Sequence, residues 1–252
     1  MAVTLTQLVQ YLDYYLSCDQ IKDYCPNGLQ VEGKPEINKI ITGVTASQAL
    51  IDAAIEQQAD AIIVHHGYFW RGEEPTIVGM KRNRIKVLLD NDVSLLAYHL
   101  PLDVHPMLGN NAQLAKILGI TIDTTLNPND PTIIGLQGHL AMPQSVTEFA
   151  SRVEQELNRK PMVVDSGKPV QKIAWCTGGG QGYIDQAAAM GVDLFLTGEA
   201  SEQTYHSAIE NGISFIAAGH HATERYGIKA LGEHIAKLHG IEHEFINIDN
   251  PF

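Results

Sequence analysis

Residues 59–70 read ADAIIVHHGYFW, a short run of small and branched apolar side chains that stops at two adjacent histidines. Four consecutive apolar residues, 61–64, fit a strand buried on both faces, as in a parallel sheet covered by helices. In open α/β sheets ligands gather at the carboxyl ends of the strands, and His65 and His66 stand at such an end. Neighbouring strand residues face opposite ways, and Gly67 turns the chain, so the two rings can reach two points of one cavity. Imidazoles that merely cap the strand or hydrogen-bond to it are the alternative.

Upstream, Leu5, Leu8, Val9, Leu12 and Leu16 recur at helical spacing over residues 5–17, behind Thr4 as a cap. Pro26-Asn27-Gly28 marks a turn. Residues 40–44 then read as a strand, 46–58 as an amphipathic helix, 81–91 as a helix, 93–98 as a strand, and 110–118 as a helix closing at Gly119. Strands alternating with helices of this length imply βαβ units. The second half repeats the first: LIDAAIEQQADAIIVHHG (50–67) aligns with YIDQAAAMGVDLFLTGEA (183–200) at an offset of 133, matching Asp52 to Asp185 and Asp60 to Asp193. VSLLAYH (93–99) likewise matches ISFIAAG (213–219). The expected fold is α/β: two similar, interlinked α/β lobes from an internal duplication, with mostly parallel sheets flanked by helices. The lobes are expected at 1–125 and 126–252, with a metal site between them.

Composition narrows the function. The 252 residues include 17 basic and 29 acidic side chains, for a net charge of −12, with 44% hydrophobic and 18% charged residues. That excludes a disordered or low-complexity chain and argues against a broad basic footprint for nucleic acid or an anionic membrane. The basic run Lys81, Arg82 and Arg84 reads as a solvated helix face. Cys18, Cys25 and Cys176 form neither a disulfide framework nor a thiolate metal site. The N-terminus carries Asp13 and no basic segment, and no apolar run is long enough to span a bilayer, so a cytoplasmic protein is expected. Against this background, 11 histidines are many.

Three further segments gather them. AYHLPLDVHP (97–106) offers His99 and Asp103 at a strand end, with Pro101 pointing to a shaped loop; an aspartate bonding its own turn is the alternative. In GHHATERYGIKALGEHIAKL (219–238), His220 and Glu224 are four apart, on one face of the first turn of a helix whose apolar face holds Ile228, Leu231 and Ile235. An HxxxE pair can bind a metal, although such pairs also occur on solvated faces. LFLTGEASEQTYHSA (194–208) places Glu199 where the first half has His66, with His206 further on: a general base and a substrate contact, or an exposed carboxylate and a surface histidine. CTGGGQGY (176–183) follows a strand and starts a helix, but matches no phosphate-binding pattern and reads as a tight turn. Three or four histidines with Asp and Glu exceed the needs of one tetrahedral zinc. They suit two divalent ions such as Zn, Mn or Fe bridged by a carboxylate.

The order of PNGLQVEG (26–33), ITGVTASQALIDAA (41–54), ADAIIVHHGYFW, AYHLPLDVHPMLGNNAQLA (97–115), TGEASE (197–202) and GHHATER (219–225) strongly resembles the GTP cyclohydrolase I type 2 homologue family, the Nif-three-like dinuclear-metal proteins, in its compact bacterial form. The resemblance runs over nearly the whole chain. It implies a toroidal homohexamer and two divalent metal ions per subunit, held by His65, His66, Asp103, His220 and Glu224, with Glu224 as the bridge. It also implies that His99, Glu199 and His206 line the same cavity, with His99 and Glu199 able to move a proton and His206 facing substrate. The expected activity is metal-dependent hydrolysis of a nucleotide or related small molecule, including ring opening of a GTP-like base. The alternative is a non-catalytic toroidal scaffold, with DNA as its cargo only if basic residues line the ring. His105, His139, His221, His234, His239 and His243 are left with structural roles.

Overall fold

The computed structural model of the chain describes residues 2–126 and 134–252. The chain forms two compact units, Met1–Leu108 with Gly227–Asp249, and Gly109–Tyr226 with Asn250–Phe252.

The first unit opens with β1 (Val3–Thr4) and α1 (Leu5–Tyr15), whose capping box joins Thr4 and Gln7. β2 (Gly28–Val31) and β3 (Glu36–Ile37) follow, and β1 pairs antiparallel with β3. Next come β4 (Lys39–Thr45), α2 (Gln48–Glu56), β5 (Ala61–His66), α3 (Gly79–Asp90) and β6 (Ser94–Ala97). β4, β5 and β6 are parallel, with β2 antiparallel along β6. Ile40, Ile63 and Leu96 enter one core while Ile41, Ile62 and Leu95 enter another. The sheet is buried on both faces, which is why its strands read as unbroken apolar runs. α4 (Leu100–Val104) starts directly after β6, so the loop expected at Pro101 is a helical turn. Proline is tolerated in a first turn because its missing N–H would have no partner there.

The second unit runs α5 (Asn110–Leu118), β7 (Ile120–Thr125), β8 (Leu136–Gln144), α6 (Val146–Leu157), β9 (Met162–Val164), β10 (Val170–Cys176), α7 (Ile184–Ala189), β11 (Leu194–Thr197), α8 (Glu202–Asn211), β12 (Ser214–Ala217) and α9 (His220–Thr223). β10, β11 and β12 are parallel at the centre of the order β7-β8-β10-β11-β12-β9, and the flanking strands pair antiparallel. The chain then returns to the first unit through α10 (Arg225–His239) and β13 (Glu242–Phe245), which pairs parallel with β4. Ile228, Leu231 and Ile235 of α10 share a core with Leu5, Leu8 and Leu12 of α1. Packing therefore divides the chain differently from a cut at 125/126: burial of that apolar face draws the C-terminal segment into the first unit.

The two halves share register as well as order. Ile40 lies opposite Ala61, and Ile173 opposite Leu194, the same pair displaced by 133 residues. Asp60 accepts from the N–H groups of Asn38 at 2.9 Å and Lys39 at 3.2 Å; Asp193 accepts from Gln171 at 3.0 Å and Lys172 at 2.8 Å. Ser94 Oγ accepts from Gly33 N–H at 3.0 Å, and Ser214 Oγ from Ser166 N–H at 3.1 Å. These matched bonds carry the internal duplication into the backbone. Among the described residues no helix is long and apolar enough to cross a membrane.

Burial alone would raise the Asp60 carboxyl, but donors from Asn38, Lys34 and Lys39 outweigh it and hold the group below its ordinary value. A carboxylate depressed on folding adds stability above its unfolded pKa of ~3.9 and loses it as pH falls through the folded value. Asp60→Asn is expected to lower the unfolding free energy by about 1–2 kcal/mol at neutral pH. It should also flatten the acid limb of the stability curve measured by denaturant titration. An acid limb identical to that of the parent protein would contradict this role.

Candidate metal centre

In the first unit β5 carries its strand geometry through both histidines. His65 is fully buried, and its Nδ1 lies 3.0 Å from the Tyr98 carbonyl oxygen. A carbonyl only accepts, so Nδ1 holds the hydrogen and Nε2 keeps the lone pair. That Nε2 is 3.5 Å from Asp103 Oδ1. His66 Nδ1 lies 3.3 Å from Thr45 Oγ1. His99 closes the end of β6, with Nδ1 3.0 Å from Asp23 Oδ1.

Asp23 is a hub that no motif or spacing singles out. Besides His99, it accepts from the N–H groups of Tyr24 at 2.6 Å and Leu100 at 2.9 Å, and from Asn27 Nδ2 at 2.9 Å. Burial would raise its carboxyl, but the His99, Asn27 and Leu100 donors hold it well below the usual carboxylate range. Asp23 is therefore ionised and fixes the His99 hydrogen on Nδ1, leaving the Nε2 lone pair. Asn27 completes the clamp by accepting the His99 backbone N–H at 2.7 Å, which gives the Pro26-Asn27-Gly28 turn its purpose.

The His65 and His66 ring centroids are 4.5 Å apart, and those of His65 and His99 are 5.0 Å apart. One ligand atom from each of the three lies within 4.8 Å of the others. An imidazole that binds a metal typically gives its other N–H to a carbonyl or carboxylate, as His65 and His99 do here. The donor chemistry fits a divalent ion.

In the second unit His220 opens α9, which ends at Thr223, with Glu224 as its C-cap and α10 beginning at Arg225. The expected single helix is thus broken at Glu224. The HxxxE pair survives the break, with His220 Nε2 3.2 Å from Glu224 Oε2. His220 Nδ1 lies 2.6 Å from Glu199 Oε1, and Glu199 Oε2 accepts from Gln181 Nε2 at 3.2 Å. Burial would lower the His220 pKa, but the carboxylates of Glu224 and Glu199 override it and raise it to about 9.

The glycine-rich segment serves this pair. Gly178 has φ +66°, and a Cβ there would overlap Glu224 Oε1 and press on His220 Nε2. A Cβ on Gly198 would collide with the Gly178 carbonyl and the His220 backbone. The N–H groups of Thr177, Gly178 and Gly180 donate to Asn111 Oδ1, Thr223 Oγ1 and Thr197 Oγ1, each at 3.0 Å. A phosphate cradle would need such groups pointing outward. The segment is instead a turn that clears space for His220 and Glu224.

The other expected residues fall outside these sets. His206 lies on the exposed face of α8 with its ring against Tyr205, centroids 5.5 Å apart. Arg82 is exposed on α3, but the Lys81 side chain is only 10% exposed, pairing with Glu73 at 2.8 Å and lying over the Phe69 ring, and Arg84 is half-buried, so the run is not the uniformly solvated face expected.

Fold and donor chemistry together define an α/β protein with a metal-capable histidine and carboxylate set. The chain belongs to the Duf34/NIF3 (NGG1p interacting factor 3) family, whose pattern matches residues 3–251. It is 61% identical over 251 residues to a Pseudomonas aeruginosa protein named GTP cyclohydrolase 1 type 2 homolog, covering 100% of both chains. An Escherichia coli protein of the same name is 56% identical over 248 residues, covering 98% of each. A solved structure described as protein ybgI, of unknown function, superposes with TM-score 0.95 at 56% identity, over 99% of this chain and 100% of that one. A Thermus thermophilus structure gives TM-score 0.89 at 35% identity, over 99% and 100%.

Gly178→Ala is expected to cost about 1 kcal/mol or more from its left-handed backbone alone. It should also displace the Glu224 carboxylate and lower the metal retained per chain, read by plasma mass spectrometry beside a thermal melt. Full metal retention would show that the clearance is not needed.

Proposed function

We propose that the chain is a metal-dependent hydrolase acting on a nucleotide or related small molecule. Two divalent ions would be held jointly by His65, His66, Asp103, His220 and Glu224, with Glu224 bridging. The observation that carries this reading is the commitment of Nδ1 in His65 and His99 to the Tyr98 carbonyl and to Asp23, beside His66. Bound divalent ions supply hydroxide at neutral pH by lowering the pKa of a coordinated water. The chain's own groups orient and move protons around that chemistry. Asp23 fixes the tautomer in which His99 Nε2 can take a proton as general base. Glu199 holds His220 through Nδ1, and Gln181 holds Glu199, so the proton-shuttling role expected for Glu199 becomes one of orientation. The relatives' name makes GTP the first substrate to test. The toroidal homohexamer implied by the family resemblance belongs to the same proposal.

The test is to load the purified protein with Zn, Mn or Fe and screen GTP, other nucleotides and simple phosphoesters for turnover. Glu224→Ala is expected to lose metal and activity together. Activity that persists without bound metal would sink the hydrolase. Tight metal binding with no turnover of any substrate would favour the non-catalytic scaffold.

A further inference from the structure

The aromatic residues beside His99 have no part in the reading above. Tyr24 and Trp70 both meet the His99 ring edge to face, with centroids 5.0 Å apart at 76° and 4.9 Å apart at 86°. Tyr24 and Trp70 also touch one another at 5.7 Å, and Trp70 lies 5.9 Å from His66. His65 and His99 are buried, whereas Tyr24 is 49% exposed. The two rings thus form a wall on the water side of the histidine set.

The backbone is arranged to hold that wall. Phe69 has φ +68°, a left-handed conformation that a bulky side chain adopts at a cost of about 1 kcal/mol. Strain of this kind concentrates at ligand sites, where the surrounding structure over-determines it. Trp70 Nε1 donates to the Gly67 carbonyl at 3.2 Å, and its backbone N–H donates to the Glu73 carboxylate at 3.0 Å. Arg71 donates its backbone N–H to the Tyr24 carbonyl at 2.7 Å and its guanidinium to the Asp23 carbonyl at 3.3 Å. The two aromatic segments are therefore tied together, and the indole N–H is already committed. What Trp70 can offer a ligand is a ring face.

We propose that Tyr24 and Trp70 form a stacking wall for a flat heteroaromatic ring in the ligand, a nucleobase or a nitrogen heterocycle of similar size. The bond to be acted on would extend towards His99. The inference rests on the nucleotide-hydrolase reading and adds which part of the substrate the first unit recognises. Stacking requires a π-face and no hydrogen-bond code, so the wall selects flatness rather than one particular base. Sugars and simple phosphoesters gain nothing from it.

Fluorescence tests this without turnover. The chain has two tryptophans, and Trp175 is fully buried, so a ligand-induced change in emission reports on Trp70. Guanosine monophosphate is titrated into the metal-free and metal-loaded protein, with ribose 5-phosphate as the control that lacks the base. Saturable quenching by the nucleotide alone is expected. Trp70→Leu should abolish it, Tyr24→Leu should weaken binding about tenfold, and Trp70→Phe, which keeps a flat face, should bind like the parent protein in equilibrium dialysis. No quenching, equal quenching by ribose 5-phosphate, or unchanged nucleotide affinity in both leucine variants would overturn the wall. Nucleotide stacking without hydrolysis would uphold the wall and count against the hydrolase, so the two proposals fail separately.

Discussion

A parallel sheet covered on both faces leaves its polar residues one kind of place to emerge, the ends of its strands. In each unit that constraint decides where chemistry can sit. β5 and β6 deliver His65, His66 and His99; just beyond the ends of β11 and β12 stand Glu199 and His220. A polar group brought this far inside must find partners, because an unpaired one in a low-dielectric interior costs several kcal/mol. For His99 and His65 those partners are Asp23 and the Tyr98 carbonyl, and they determine which nitrogen of these two rings can accept a proton or an ion.

The duplication shows how such a scaffold diversifies. The bonds that set strand register, from Asp60 and Asp193 and from Ser94 and Ser214, recur in both halves at the same positions. The strand ends do not recur: His65 and His66 of one half face Gly198 and Glu199 of the other in the alignment. Register bonds lie at the amino ends of the strands, away from the reactive groups. The carboxyl ends were therefore able to change without loosening the sheet.

Much of this was legible in the chain. Apolar runs such as 61–64 announced parallel strands, and the offset of 133 announced the repeat, because both depend on local pattern. What stayed hidden depends on distance or on backbone detail. Asp23 meets His99 from 76 residues away. β8 (LQGHLAMPQ), between β7 and β10, and β9 (MVV), along β12, are segments with no clear alternation. Pro101 reads as a breaker unless it is known to fall in a first turn, and the break at Glu224 leaves no mark within an HxxxE pattern. CTGGGQGY reads as a tight turn, but its purpose stays hidden because sequence records that a side chain is missing, not that Glu224 and His220 fill the space.

The return of residues 227–249 to the first unit has a consequence for biosynthesis. When the ribosome has completed Met1–Leu108, α10 is still unmade, and the apolar side chains of α1 lack Ile228, Leu231 and Ile235. β4 likewise waits for β13, so one sheet edge stays open while the whole of the second unit is synthesised and folds. An unpaired edge in a nascent chain invites pairing with other chains. Residues 1–108 are thus made before the segment that completes their core, and their apolar face stays uncovered until residues 227–249 follow.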